Sequence, residues 1–164
     1  MKAIFKSKLP MIFAVCAVLL TTFSGCKKDE EPVAVDPMKR VTVMLSGAQE
    51  VPAVITTGTG SAKLIFDPLL KTINYNITWT LGSAAATTVN MHFHGAEDGS
   101  DLKSSGVPTG FGLTGFSTAN TGTISGTTIA LTDAQVAQLL AGKWYLNIHS
   151  STVASGELRG NIKF

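Results

Sequence analysis

Cysteine is scarce in this 164-residue chain: only Cys16 and Cys26, both near the start. Everything beyond Cys26 therefore lacks a disulfide, a thiolate nucleophile and the sulfur ligands of a structural zinc site. Charge is scarce as well, at 15% of residues against the usual quarter or so. Low charge combined with abundant Val, Ile, Leu and Thr is the opposite of the disordered signature. No apolar run reaches the ~18–20 residues that span a bilayer. The nucleophile elbow G-x-S-x-G and a nucleotide-binding loop are missing too. What remains is a chain of one ordinary domain's length with a formal charge of +2.

That positive charge belongs to the leader. Lys2, Lys6 and Lys8 precede the apolar run Met11–Leu20, followed by Thr21, Thr22 and Ser24, which predicts a secretory signal peptide over residues 1–25. Phe23-Ser24-Gly25-Cys26 resembles a bacterial lipobox, with Phe23 where Leu is usual, and implies lipidation of Cys26. Ordinary secretory cleavage nearby, leaving Cys26 a free thiol, is the alternative. Without residues 1–25 the chain holds 10 basic and 11 acidic side chains, and from Arg40 onward seven of each. No basic field is left for nucleic acid to follow. Diacylglyceryl and amide-linked chains on one Cys would anchor the protein stably to a membrane.

Lys27-Lys28-Asp29-Glu30-Glu31 looks like the surface-export signal of Bacteroidetes-type lipoproteins. It implies an outer-membrane lipoprotein facing outward, with a periplasm-facing protein as the alternative. Residues 26–39 read as a lipidated Cys and flexible tether, and residues 40–164 as the domain.

The domain alternates with period two. Val41–Leu45, Ala62–Phe66, Thr72–Thr80, Phe111–Phe116, Thr123–Leu131, Trp144–Ile148 and Leu158–Phe164 all carry the pattern. Half-buried antiparallel strands produce it, so an all-β sandwich or barrel of seven or eight strands is expected. Thr132-Asp133-Ala134-Gln135 reads as a capping box opening one short helix. Val136, Leu139 and Leu140 form its apolar stripe, and Gly142 stops it.

All three histidines share a parity. His92 and His94 alternate with Val89, Met91 and Phe93, the expected core face; His149 alternates with Trp144, Leu146 and Ile148. Outward-facing histidines on neighbouring strands would gather into a copper or zinc site. Histidines hydrogen-bonded separately to surface groups are the competing account. Glu97, Asp98 and Asp101 follow in a loop and offer a Ca²⁺ site without the EF-hand pattern, an accessory oxygen ligand or a polar turn. Glu157 and Arg159 share a face and read as a surface ion pair.

Three motifs together resemble the CHRD (chordin) domain: Leu45-Ser46-Gly47-Ala48-Gln49-Glu50-Val51-Pro52, then Met91-His92-Phe93-His94-Gly95, then Leu139–His149 with Gly156-Glu157-Leu158-Arg159-Gly160. Gln49, Glu50, Pro52, Asn147, Gly156, Glu157, Arg159 and Gly160 are the motif positions outside the histidines. The resemblance implies an immunoglobulin-like, superoxide-dismutase-like antiparallel Greek-key β-sandwich with one short helix. The dismutase likeness carries only to His92, His94 and His149 as metal ligands. The further ligand histidines, the disulfide and the catalytic arginine of such an enzyme are missing, and no catalytic residue is assigned. Two readings follow: a lipid-anchored, non-catalytic envelope module that contacts a protein or glycan, or an envelope protein that binds copper or zinc.

Overall fold

The computed structural model describes residues 36–95 and 105–164. The signal peptide, Cys26, most of the tether and the acidic loop with Glu97, Asp98 and Asp101 lie outside the described residues. Seven strands, one short helix and one 3-10 turn form the described chain. They run β1 (Lys39–Ser46), the turn Gly47–Gln49, β2 (Thr59–Asp67), β3 (Thr72–Thr80), β4 (Thr88–Gly95), β5 (Thr121–Thr127), α1 (Asp133–Leu140), β6 (Trp144–Ser150) and β7 (Leu158–Ile162). Among these residues no helix is long and apolar enough to cross a membrane.

All neighbours in the sheet are antiparallel, in the order β4-β6-β7-β1-β2-β3-β5. The expected all-β architecture is the one observed, with the sheet curled almost closed. Its two end strands are stitched through residues 111–120. Phe93 and Leu113 donate backbone N–H groups to Phe111 and Met91, and Thr88 donates to Thr118. Trp79 Nε1 donates to Thr88 Oγ1 at 2.8 Å, linking β3 to β4, and the Tyr75 and Phe93 rings lie 5.8 Å apart. Covering the β4 edge in this way satisfies backbone groups that an open sheet would leave exposed to another chain.

Leu45, Leu64, Phe66, Ile73, Ile77, Met91, Phe93, Leu146, Ile148, Leu158 and Ile162 fill the enclosed core. Strand β3 matches the sequence reading from end to end. Ile73, Ile77 and Trp79 are buried and Tyr75 partly so, while Asn74, Asn76, Thr78 and Thr80 are exposed. Three expectations need correction. Val89 points outward, because a register irregularity between Thr88 and Asn90 shifts the parity at the start of β4. Phe111–Phe116 is not a strand: it touches β4 through one bridge, Gly112 to His92. The segment Thr123–Leu131 is strand only to Thr127, after which Thr128 and Leu131 donate to backbone oxygens of Ile73 and Lys71.

Helix α1 has the anticipated capping box. Gln135 N donates to Thr132 Oγ1 and Thr132 N to Gln135 Oε1. Gly142, at φ +71°, adopts the left-handed conformation that ends the helix. Leu139 is fully buried and Val136 partly so, whereas Leu140 is exposed, so the buried stripe is narrower than the spacing suggested. Replacing the cap by Thr132→Ala should lower unfolding stability by about 1 kcal/mol. Leu139→Ala should cost more, roughly 2–5 kcal/mol. Urea denaturation of the two variants checks this order.

Candidate metal centre

Strand pairing builds the site. His92 lies opposite Asn147 and His94 opposite Tyr145 on β4 and β6; one strand further, Asn147 lies opposite Arg159 and Tyr145 opposite Asn161 on β7. Side chains opposite one another on one face stand about 4.5–5.5 Å apart at Cβ. Residues 92, 94, 145, 147, 149 and 159 therefore form a single patch on the side of the sheet away from the apolar core. The His92 ring is 5.5 Å from that of His94 and 5.0 Å from that of His149. One ligating nitrogen from each comes within 4.8 Å of the others.

The expected outward parity is present, but this face is not solvent. Asn147, Tyr145 and His94 are 4%, 3% and 8% exposed, and Arg159 and Glu157 only 1% and 2%. The surface ion pair read from Glu157 and Arg159 is thus a pair of buried groups with separate tasks. Glu157 Oε1 accepts from Thr56 Oγ1 at 2.7 Å and from the Gly82 N–H at 2.6 Å, tying two loops to the approach of β7. Burial works against the Glu157 carboxylate, yet hydrogen bonds from Ser150, Gly82 and Thr56 hold its pKa below the usual range. Arg159 Nε donates to Asn161 Oδ1, and its guanidinium lies 3.6 Å over the Tyr145 ring. On its other side Tyr145 stacks on His94, with centroids 4.4 Å apart and planes at 6°.

Ser105 and Ala154 set the imidazole tautomers. His94 Nδ1 is 2.7 Å from the Ser105 carbonyl oxygen and His149 Nδ1 is 2.9 Å from that of Ala154. A carbonyl oxygen only accepts, so each Nδ1 carries a proton. Tyr145 holds Ser105 in place, its hydroxyl accepting from Ser105 N and donating to Ser105 O. Carbonyl-anchored imidazoles of this kind are characteristic of metal ligands, because the bond fixes both tautomer and ring orientation.

The other nitrogens face an amide oxygen. Asn147 Oδ1 is 2.9 Å from His94 Nε2 and 3.2 Å from His149 Nε2. Burial, above all, lowers the His94 pKa; bonds to Ser105 and Asn147 oppose this, and the nearby His149 and Arg159 add to it. His94 is therefore held neutral at pH 7, and its Nε2 presents a bare lone pair to another lone pair. His92 is also lowered, first by burial and then by His149 and His94, against a bond to Asn147. Its Nδ1 is buried with no hydrogen-bond partner. A bare imidazole nitrogen facing an amide oxygen, beside an orphaned imidazole nitrogen, is what a cation would satisfy. The donor set of imidazole and amide oxygen fits Zn²⁺ or Cu²⁺.

A family model for the CHRD domain matches residues 41–162. The chain belongs to the CHRD-domain family. No curated protein and no solved structure matched it. The resemblance drawn from the three motifs is borne out, and the CHRD motif positions now have places in the fold. Gln49 docks the 3-10 turn, donating to Met44 O and accepting from Asn161 N. Glu50, next to it, is buried; burial pushes its pKa up to about 7, while the Arg159 charge and a bond from Asn147 restrain the rise. Gly156 has φ +122°, and a Cβ there would stand 2.6 Å from Glu50 Oε1 and 2.8 Å from Asn147 Nδ2. Gly160 leaves no room either, with Val43 and Met44 O within 2.9 Å of a Cβ. Pro52 is exposed in the loop after the turn.

Sequence reasoning missed Asn147 as part of the histidine cluster, and Tyr145, Ser105 and Ala154 as its supports. The shared parity of Tyr145, Asn147 and His149 was the available signal; the burial of that face was not readable.

These shifts have opposite pH signs. A histidine whose folded pKa lies below 6.5 withdraws stability as pH falls through 6.5 toward the depressed value. Glu50, raised from 4.5 to about 7, withdraws stability as pH rises across that interval. Glu50→Gln removes the second contribution. The metal-free variant should therefore lose stability more steeply than wild type between pH 7 and pH 5, measured by urea denaturation in a chelator.

Proposed function

We propose that this CHRD-domain chain is a lipid-anchored envelope protein whose domain binds one divalent copper or zinc ion through His92, His94 and His149. One observation carries the reading: two carbonyl-anchored imidazoles aim at a shared amide oxygen, with a third, unpartnered imidazole nitrogen alongside. The chain has three histidines in all, so one ion uses every imidazole and none is left to bridge a second metal. That limit supports a non-catalytic binding role over a two-metal, dismutase-type reaction. Bound metal would supply a positive centre in a buried polar layer and couple the β4 and β6 strands to the loops that anchor the rings.

Purified, chelator-stripped full-length protein should take up one equivalent of Zn²⁺ or Cu²⁺. Its thermal midpoint should rise with metal, by the equivalent of roughly 2.7 kcal/mol at a hundredfold excess over Kd. His92→Ala and His149→Ala should each weaken binding at least about tenfold, or ~1.4 kcal/mol. A wild-type protein that retains no metal after equilibrium dialysis overturns the reading.

The anchor is supported by the leader, the Ser24-Gly25-Cys26 sequence and the charged tether. Labelled palmitate should enter the protein in intact cells and be absent from Cys26→Ala. Equal labelling of both would remove lipidation at this position.

A further inference from the structure

We propose that Asn147 is a fourth ligand of this centre, supplying Oδ1, with Glu50 as the positioning residue that turns the amide oxygen inward. The inference rests on the metal reading above and adds to it a donor outside the three histidines. Asn147 Oδ1 already sits 2.9 and 3.2 Å from the two Nε2 atoms. Two donors sharing one ion through bonds of about 2.0–2.1 Å, at angles from square to tetrahedral, are separated by ~2.8–3.4 Å. The oxygen therefore stands at a ligand's distance from both neighbours. A water molecule is not needed to complete a set of four.

Orientation decides which end of the amide does this. Asn147 Nδ2 and Glu50 Oε1 both come up against Gly156, and Glu50 Oε1 is buried with no hydrogen-bond partner placed on it. An amide nitrogen can donate to that unpartnered oxygen, which leaves the amide oxygen on the side of the histidines. At 4% exposure the side chain has no solvent-facing alternative.

The resulting set is three imidazole nitrogens and one neutral amide oxygen, without sulfur. Such a set favours divalent Zn²⁺ and Cu²⁺ over Cu⁺, which prefers thiolate and thioether. Met91, the one methionine on β4, is on the opposite face and buried in the apolar core.

The test uses the purified full chain, with Zn²⁺ for affinity and Co²⁺ as a spectroscopic substitute. In the wild type, the Asn147 side-chain amide resonance should shift on Zn²⁺ addition and saturate at one equivalent. Asn147→Ala should weaken Zn²⁺ about tenfold or more and change the Co²⁺ ligand-field spectrum. Asn147→Asp, which keeps an oxygen in place, should restore binding and a four-ligand spectrum. Glu50→Gln should weaken Zn²⁺ about tenfold, the low end of the roughly 10–100-fold typical of outer partners. An unmoved amide resonance overturns the proposal even if no variant folds. So does an alanine variant with wild-type affinity and spectrum. Wild type that binds no ion removes the metal reading as well, whereas metal binding indifferent to Asn147 removes this inference alone.

Discussion

Strand β6 is buried on both faces, and the arrangement of the polar layer follows from that burial. Trp144, Leu146 and Ile148 enter the apolar core; Tyr145 and Asn147, on the other side, are almost as inaccessible. A hydroxyl or amide removed from water costs free energy unless it is paired. Tyr145 closes on Ser105, Asn147 reaches the histidines and Glu50, and Gln49 binds β7 across the 3-10 turn. The loops over β6 are thus held by the groups they cover. The remaining mismatch, acceptor against acceptor, sits between His94 Nε2 and Asn147 Oδ1, beside the unpartnered His92 Nδ1.

Charge is used sparingly, and part of it is placed where water is absent. Glu50, Glu157 and Arg159 are buried around this layer, while the exposed pairs Arg40–Asp36 and Lys71–Asp133 lie on the surface. An exposed pair is screened and contributes little. A buried guanidinium acts on Glu50, Tyr145 and His94 together: it opposes the rise of the carboxyl pKa, covers one ring and disfavours a charged second one. A chain poor in charge can therefore carry a strongly polarised interior region.

Local patterns were readable wherever one local rule decided the outcome. Thr72–Thr80 alternates because one face meets the core and the other meets water. The Thr132–Gln135 box forms from contacts three residues apart. Readings failed where a distant segment intervened. Val89 followed the alternation of Met91 and Phe93 until an irregularity against β6 turned it outward. Phe111–Phe116 has the composition of a strand, but only Gly112 bridges to β4, and the flanking residues serve to cover an edge. Glu157 and Arg159 looked like a surface pair because alternation shows which side a residue takes, and nothing of what lies over that side.

The three histidines divide along the same line. Sequence by itself determined their common parity, the all-β class, the short helix after Thr132 and the family to which residues 41–162 belong, because each depends on spacing along one chain. Only the tertiary structure decided that β4 and β6 are neighbours, that His92 falls opposite Asn147, and that loops from residues 105 and 154 seal the patch and fix its tautomers. Strand order and loop cover bring together groups separated by as many as 112 residues, as Gln49 and Asn161 show. Spacing along the chain carries no record of such pairings.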